Sequence, residues 1–412
     1  MQPPVVTTEP APSVSARREL IRLCAAGFLA YCSYAMCRSP LLPLFARQLG
    51  ADPRLVGVIV GASTLTGVAI KLPAGAWSDV LGRRVLLVTG AVVFAVMPFT
   101  YLAVSGVGLL IALRVVHGSA TAMFGPVASA SLSDIAPSQR RATWLSTYST
   151  IQGAGQAIGP VLAGYLIAIG RFDLAFLLAA LIALSTPLIV SRWPSAPSRR
   201  GRDQLSVVSR FADGLHEVVQ ERCILVASLA QAAQFLLNGS LNAFLPLYAS
   251  EVIGMNAADI GWLFAVQTVT TLATRPLIGV ASDRVGRRGV IVSGLVACSS
   301  AVWMMASAAA AGSLVTAVLV YATGVAVTTA ATGAYVTDVA PRARYGAAHG
   351  VFGTIYDVGD ALGPIAAGFL VAGVGYVRMF QVMAVVALLV TIMFYCVSRE
   401  QRPSPAAGAL RW

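Results

Sequence analysis

Two ten-residue stretches, GAWSDVLGRR at Gly75 to Arg84 and GVASDRVGRR at Gly279 to Arg288, are near copies of one another. They lie 204 residues apart, about half of the 412-residue chain. The same offset relates Gly57 to Gly261, Lys71 to Arg275, and Asp134-Ile135-Ala136-Pro137 to Asp338-Val339-Ala340-Pro341. It also relates GQAIGPVLAG at Gly155 to Gly164 to GDALGPIAAG at Gly359 to Gly368. One offset held through separate stretches marks an internal duplication, so two structurally equivalent halves are expected.

Composition places both halves in a lipid bilayer. Hydrophobic residues make up 57% of the chain, charged residues 11%, and the mean hydropathy is +0.77, values that a water-exposed surface of this size does not tolerate. Apolar runs of about 20 residues, enough to cross the hydrocarbon, fall near 20–45, 55–77, 85–104, 107–132, 142–169 and 173–193. In the second half they fall near 223–250, 258–282, 289–309, 312–336, 346–373 and 377–398. Period-two alternation is absent, which disfavours strands. The expected fold is an all-α membrane protein with twelve transmembrane helices in two pseudo-symmetric six-helix bundles. The corresponding division is a tail at 1–16, a bundle at 17–193, a linker at 194–222, a bundle at 223–400 and a tail at 401–412.

The net charge of +12 would suit nucleic acid, but its distribution argues against that partner. Arginines gather in alternate loops, at Arg17, Arg18 and Arg22, at Arg83 and Arg84, at Arg140 and Arg141, from Arg192 to Arg222, at Arg284, Arg287 and Arg288, at Arg342 and Arg344, and in the tail. The intervening loops hold Arg47, Arg54, Arg171 and Arg378. By the positive-inside rule both termini are cytoplasmic, in the plasma membrane (the inner membrane of a bacterium). Met1 to Ala16 lacks the basic-then-apolar pattern of a signal peptide and reads as a disordered tail. Within the linker, Leu205, Val208, Ala212, Leu215 and Val219 have the spacing of an amphipathic helix on the cytoplasmic leaflet; a solvated basic loop is the competing reading. The six cysteines (Cys24, Cys32, Cys37, Cys223, Cys298 and Cys396) form no metal-type pairs and read as small core residues, so no metal is expected.

The repeated cassette has a physical logic of its own. Gly75 allows close helix approach, Asp79 offers an acceptor to helix N-termini and arginines, Gly82 permits a tight turn, and Arg83 and Arg84 anchor the loop to anionic headgroups. In the fifth helix Gly155, Gly159 and Ala163 lie four apart on one face, while Pro160 frees a carbonyl and bends the helix. Gly359, Gly363, Pro364, Ala367 and Gly368 repeat the pattern in the eleventh. Gly153-x-Gly155 is no dinucleotide fingerprint, because it sits inside an apolar span with no strand before it.

With these motifs the chain resembles the major facilitator superfamily over nearly its whole length, and its glycine-proline run is similar to the motif of twelve-helix drug:proton antiporters. The resemblance implies halves related by an axis along the membrane normal. It makes Asp79 and Asp283 cytoplasmic gate residues, with Gly75, Gly82, Arg83, Arg84, Arg287 and Arg288 around them; loop anchoring alone is the competing reading. It makes Gly155, Gly159, Pro160, Gly363 and Pro364 hinge positions. Arg114 matches the family pattern R-x-x-x-G, which is associated with proton coupling, although Val318 stands at the equivalent position of the second half.

Ionisable residues inside the membrane are costly unless paired or used. Those present are Arg38 in helix 1, Arg114 and His117 in helix 4, and Asp357 and Asp360 in helix 11. Lys71 and Arg275 lie near cytoplasmic helix ends, where snorkelling explains them. Asp357 and Asp360 share a helical face near mid-depth, as do Arg114 and His117, and both faces can line one cavity. Arg38 and Arg114 fall about 7–9 Å to the outer side of the midplane, at a depth where they can share a ligand. Asp357 and Asp360, tuned by Arg114 and with His117 as a relay, are the candidates for carrying a proton; static pairing of the acids with Arg38 or Arg114, and a merely packed histidine, are the alternatives. Further lining candidates are Gln152, Gln156, Gln231, Gln234, Asn238 and Asn242, with Tyr31, Tyr34 and Tyr356 as aromatic walls. The four amides of helix 7 suit a polar ligand or interhelical hydrogen bonds equally.

One departure bears on the substrate. In the family that the chain resembles, many multidrug antiporters that take cations have an acid in helix 1, where this chain has Arg38. An anionic or zwitterionic metabolite, a siderophore-like compound or a sugar derivative remains open. No nucleophile elbow, metal-ligand pair or phosphate loop is present, so neither an enzyme nor a cofactor is expected. The expected function is secondary active transport of a small organic molecule, proton-coupled and in the export direction, by a monomer whose partners are substrate, proton and membrane lipid. The alternatives are proton-coupled uptake and a receptor or scaffold that binds without moving its ligand.

Overall fold

A computed structural model describes residues 14–194, 221–340 and 345–398, with the backbone alone at 72, 73, 75, 76, 79, 80, 279–281, 283–285, 346 and 347. Every regular element among them is helical. The first half comprises α1 (Val14–Arg38) with its continuation α2 (Leu41–Gln48), α3 (Pro53–Leu81), α4 (Arg83–Tyr101), α5 (Val107–Ile135), α6 (Arg141–Ala168), and α7 (Phe172–Leu184) with its continuation α8 (Thr186–Ser191). The second comprises α9 (Arg222–Glu251), α10 (Ala257–Val285), α11 (Arg287–Ala306), α12 (Ala311–Val339) and α13 (Tyr345–Val397).

Nine of the described helical segments are long and apolar enough to cross a membrane. The last of them, Ala348–Val397, has 50 residues, about two crossings, and Gly375 interrupts it with φ 80 and ψ 173. The helices α6 and α10, of 28 and 29 residues, are as long but carry polar faces that include Gln152 and Gln156 in one and Gln267 and Thr268 in the other. With these two added and the long segment taken as two, the described residues carry twelve passes, six in each half. Most of the linker, 195–220, and the tail residues 1–13 and 401–412 lie outside the described residues, while 14–16, expected as tail, already belong to α1.

The duplication repeats down to helix punctuation. Asp52 caps α3 by accepting the Leu55 N–H at 2.8 Å, and its equivalent, Asn256, caps α10 by accepting the Asp259 N–H at 2.9 Å. Between α3 and α4, Gly82 adopts φ 89; between α10 and α11, Gly286 adopts φ 104. A side chain is strained in that left-handed region, which is why each cassette places glycine there.

Lipid is as apolar as leucine, so helices in a membrane associate through close fit rather than hydrophobic expulsion. The halves meet through two such contacts related by the 204-residue offset. A Cβ on Gly57 would stand 2.3 Å from the Pro364 carbonyl oxygen, and one on Gly261 would stand 2.5 Å from that of Pro160. Thus α3 meets α13 as α10 meets α6. A continuous apolar core joins the halves at the end bearing Gly50 and Gly254, with Leu41, Leu42 and Ile59 against Leu237, Phe244 and Tyr248. Toward the end bearing Gly82 and Gly286 each half keeps its own core, around Phe94 and Phe124 in one and Tyr335 and Phe394 in the other. The molecule is therefore joined across its Gly50 end.

Candidate functional site

A cavity of about 510 Å³ lies between the halves at mid-length of the helices. It is lined by Tyr31, Tyr34 and Arg38 of α1, Gln152 and Gln156 of α6, Asn238 and Asn242 of α9, and Asp357 and Asp360 of α13. The structure thus brings most of the sequence candidates to one place. Lys71 of α3 and Gln267 and Thr268 of α10 join them.

Four charges line the cavity, and they cancel in two pairs that each cross from one half to the other. Arg38 Nη2 donates to Asp360 Oδ2 at 2.9 Å, and Asn238 Nδ2 donates to the other oxygen, Oδ1, at 3.0 Å. Lys71 Nζ pairs with Asp357 Oδ2. The Asp360 side chain is 9% exposed and that of Asp357 18%, so the first pair is the more sheltered. Lys71 does not snorkel to a headgroup. Ten residues before the end of α3, its ammonium is taken by Asp357 of the other half. The acid on a facing helix, not the lysine's own surroundings, was the missing signal.

Arg114 and His117 lie behind the cavity wall rather than in it. Arg114 is buried and donates to Ser63 Oγ at 2.8 Å and to the Ile59 carbonyl at 3.4 Å. His117 Nδ1 shares a hydrogen bond of 2.8 Å with the Tyr101 hydroxyl, and the ring packs edge-on against Tyr34, centroids 5.3 Å apart. The expected placement of Arg114 on the cavity is corrected: it bonds across the α3–α5 contact, and Tyr34, whose hydroxyl lies 3.3 Å from Ser63 Oγ, stands between it and the cavity. Arg38 and Arg114 do not face a common open site. Ser63 and Tyr101 carried no sequence signal, because a serine and a tyrosine in apolar helices are ordinary.

The amide stripe of α9 divides. Asn238 and Asn242 line the cavity, whereas Gln231 and Gln234 are buried against α12, bonded to each other at 2.7 Å, with Thr332 donating to Gln231 Oε1. Gln231 thus makes the interhelical bond, and Gln234 is bonded within its own helix and is not a lining residue. Tyr356 likewise leaves the lining, packed at a tilt against Phe235 at 4.5 Å and edge-on against Phe352 at 5.2 Å. Helical periodicity puts residues three and four apart on one face, but a face broad enough to touch two neighbours does not say which neighbour each side chain meets.

At the Gly82 end, Arg83 pairs with Asp134 at 2.9 Å, and its equivalent Arg287 pairs with Asp338 at 3.0 Å. These arginines hold loops within each half rather than reaching for lipid. Arg288 donates to the Tyr395 carbonyl and lies over that ring at 4.2 Å. The side chains of Gly75, Asp79 and Asp283 lie outside the described residues; Gly82 and Gly286 form the turns described above, beside Arg84 and Arg288. At the Gly50 end Arg47 pairs with Glu251 at 3.0 Å, and the Tyr376 hydroxyl donates to the same carboxylate at 2.9 Å. Arg47 and Glu251 are themselves 204 residues apart, so equivalent positions of the two halves meet at the pseudo-two-fold axis.

The glycines expected as hinges serve close approach. Gly155 and Gly159 of α6 lie against the Phe28 and Cys32 carbonyls of α1, where a Cβ would meet oxygen at 2.5 Å in both cases. Gly359 and Gly363 of α13 repeat this on Ala232 and Leu236 of α9, at 2.3 and 2.2 Å. Pro160 and Pro364 stay inside continuous helix and present their carbonyls to Gly261 and Gly57 across the half interface.

Comparison with known proteins agrees with this architecture. A sequence model of the Major Facilitator Superfamily matches residues 23–237 and again 227–411, one match for each half. The chain is 22% identical over 358 residues to an uncharacterized MFS-type transporter of Methanocaldococcus jannaschii, covering 87% of this chain and 92% of the relative. It is 23% identical over 382 residues to the staphylopine export protein of Staphylococcus aureus, covering 89% and 92%. Among solved structures, a POT family transporter in complex with 5-aminolevulinic acid superposes with a TM-score of 0.78 at 14% identity, covering 92% of this chain and 96% of that one, a likeness of fold alone. With both halves matched and the fold shared, this chain belongs to the Major Facilitator Superfamily.

Proposed function

We propose that the protein is a secondary active transporter that exports a small organic molecule by alternating access, coupled to protons, as a monomer in the plasma (bacterial inner) membrane. The observation that carries this reading is the pair of ion pairs, Arg38–Asp360 and Lys71–Asp357, that bridge the halves across the central cavity. Both acids sit on α13, and Asp360 is one turn before Pro364, whose carbonyl meets Gly57 of the other half. A proton on either carboxylate removes half of an ion pair that holds the halves together, and it does so beside the contact that closes the Gly50 end. Arginine bias makes the Gly82 end cytoplasmic, so the state described here faces inward. The staphylopine export protein supports the export direction.

The test begins with an untargeted metabolite comparison of cells with and without the protein, which nominates a substrate. Its accumulation is then followed in proteoliposomes under an imposed pH gradient. Wild type is expected to concentrate the substrate, and Asp360→Asn and Asp357→Asn to lose gradient-driven accumulation while keeping downhill exchange. Full accumulation by both variants makes the acids structural. No flux in wild type, with binding retained, supports a receptor or scaffold instead.

A further inference from the structure

The duplication is broken at one charge, and the break lies on the path to the cavity. Lys71 and Arg275 are equivalent positions, and the acid that neutralises Lys71, Asp357, has as its equivalent Gly153. A Cβ on Gly153 would come within 2.7 Å of the methyl end of Leu272, so glycine lets that side chain sit against α6 and leaves no acid at this position of the second repeat contact. Arg275 is consequently left exposed, with no hydrogen bond or ion pair among the described residues. It lies seven residues beyond Thr268, two turns along the same helical face, toward the Gly82 end. Phe264 and Thr268 on that face line the cavity, and Arg275 continues the stripe beyond the lining toward the Gly82 end, the mouth side, where the halves keep separate cores.

From this asymmetry we infer that Arg275 is a specificity-determining residue that selects substrates of net negative charge at the inner mouth. The inference rests on the transport reading above and supplies its substrate class, a small organic anion. The four charges lining the cavity cancel in two pairs, whereas the Arg275 guanidinium, just beyond that lining, has no ion-pair partner among the described residues. A fixed positive charge at a narrow, low-dielectric opening raises the local concentration of anions and lowers that of cations. A ligand carboxylate or phosphate also finds in guanidinium a planar, two-pronged donor. A lipid headgroup phosphate offers the same chemistry, and the experiment separates the two.

The test reads the charge of the mouth without requiring flux or a known substrate. Thr268→Cys is introduced with Cys223→Ser and Cys396→Ser, since Cys24, Cys32, Cys37 and Cys298 are buried. The rates at which the thiol reacts with sulfonatoethyl (anionic) and trimethylammonioethyl (cationic) methanethiosulfonate are then compared, in maltoside detergent and in phosphatidylglycerol vesicles. Arg275→Gln is expected to lower the anion-to-cation rate ratio about tenfold in both media, whereas Arg275→Lys keeps it within about twofold. In case Arg275→Gln does not fold, Arg275→His toggles the charge within one protein, and its ratio should fall as pH rises from about 5.5 to 8. A ratio indifferent to Arg275→Gln and to the titration of Arg275→His overturns the inference. A ratio high in detergent but abolished in vesicles overturns it too, because lipid phosphate then holds the arginine. No flux in the wild-type proteoliposome assay described above, with a ratio that depends on Arg275, counts against the transport reading and leaves the anion selectivity standing.

Discussion

At the scale of single residues, the two cavity ion pairs differ in shelter, and that difference sets their energetic weight. Asp360 is nearly buried, accepts from both Arg38 and Asn238, and so leaves a poorly solvated guanidinium behind when it is neutralised. Removing one partner of such a pair costs about 3 kcal/mol. Lys71, with 39% of its side chain exposed, can take up water when Asp357 is lost, so that substitution costs about 1 kcal/mol or less. Asp360→Asn is therefore expected to lower the thermal midpoint of the purified protein clearly more than Asp357→Asn. Adding Arg38→Met to Asp360→Asn should recover part of the loss, since the orphaned charge goes with it. Equal midpoints for the two single variants would falsify the ranking.

At the scale of helices, glycines that look alike in sequence hold different kinds of contact. Gly118 of α5 faces Ser63 of α3 inside the first half, where a Cβ would stand 2.1 Å from a backbone oxygen. That contact belongs to the bundle itself, so Gly118→Ala should destabilise the fold by about 1–3 kcal/mol, read as a lower thermal midpoint. Gly57 faces Pro364 across the halves with a comparable clash, at 2.3 Å. In the alternating-access mechanism proposed above the halves separate there without unfolding, so Gly57→Ala should shift the population away from the state closed at the Gly50 end. Labelling of Ser39→Cys by a membrane-impermeant thiol reagent applied from outside should rise in Gly57→Ala and stay unchanged in Gly118→Ala. The hydroxyl of Ser39 now donates to the Asn242 carbonyl at 2.8 Å, a contact between the halves that such opening exposes.

At the scale of the whole molecule, closure depends on where the two halves share a core. They do so at the Gly50 end, where Arg47, Glu251 and Tyr376 add a polar latch over the joint apolar cluster. The latch is solvent-exposed and weak as an ion pair, so its breakage alone should leave stability almost unchanged. A covalent link is another matter. Arg47→Cys/Glu251→Cys, bridged by a short bifunctional reagent, should stop transport while leaving thermal stability equal to or above that of wild type; continued flux in the bridged protein rules out movement at this end. Orientation is checked separately through the linker, most of which lies outside the described residues: Arg200→Cys should be labelled from the cytoplasmic side, and labelling only from outside would reverse the topology.

The bilayer class, the helical fold, the two halves and the cassette turns were legible in the chain because each follows from a local or periodic property. Runs of apolar residues span a membrane wherever they occur, and a glycine in a left-handed turn is needed whatever surrounds it. Arg38, Asp357 and Asp360 were legible as site residues for a similar reason, since a charge within a membrane span demands a partner or a polar cavity in any fold. Which partner each one takes was not legible. Lys71 reads as a snorkelling end residue until α3 is laid against α13, and Arg114 reads as a cavity residue until Ser63 and Tyr34 are found between it and the opening. Gln234 and Asn238 share a helical stripe, yet one bonds within the wall and the other meets Asp360. Those choices belong to the tertiary structure, because helix period orders side chains around one axis, while ion pairing depends on distances of a few ångströms between axes hundreds of residues apart in the chain.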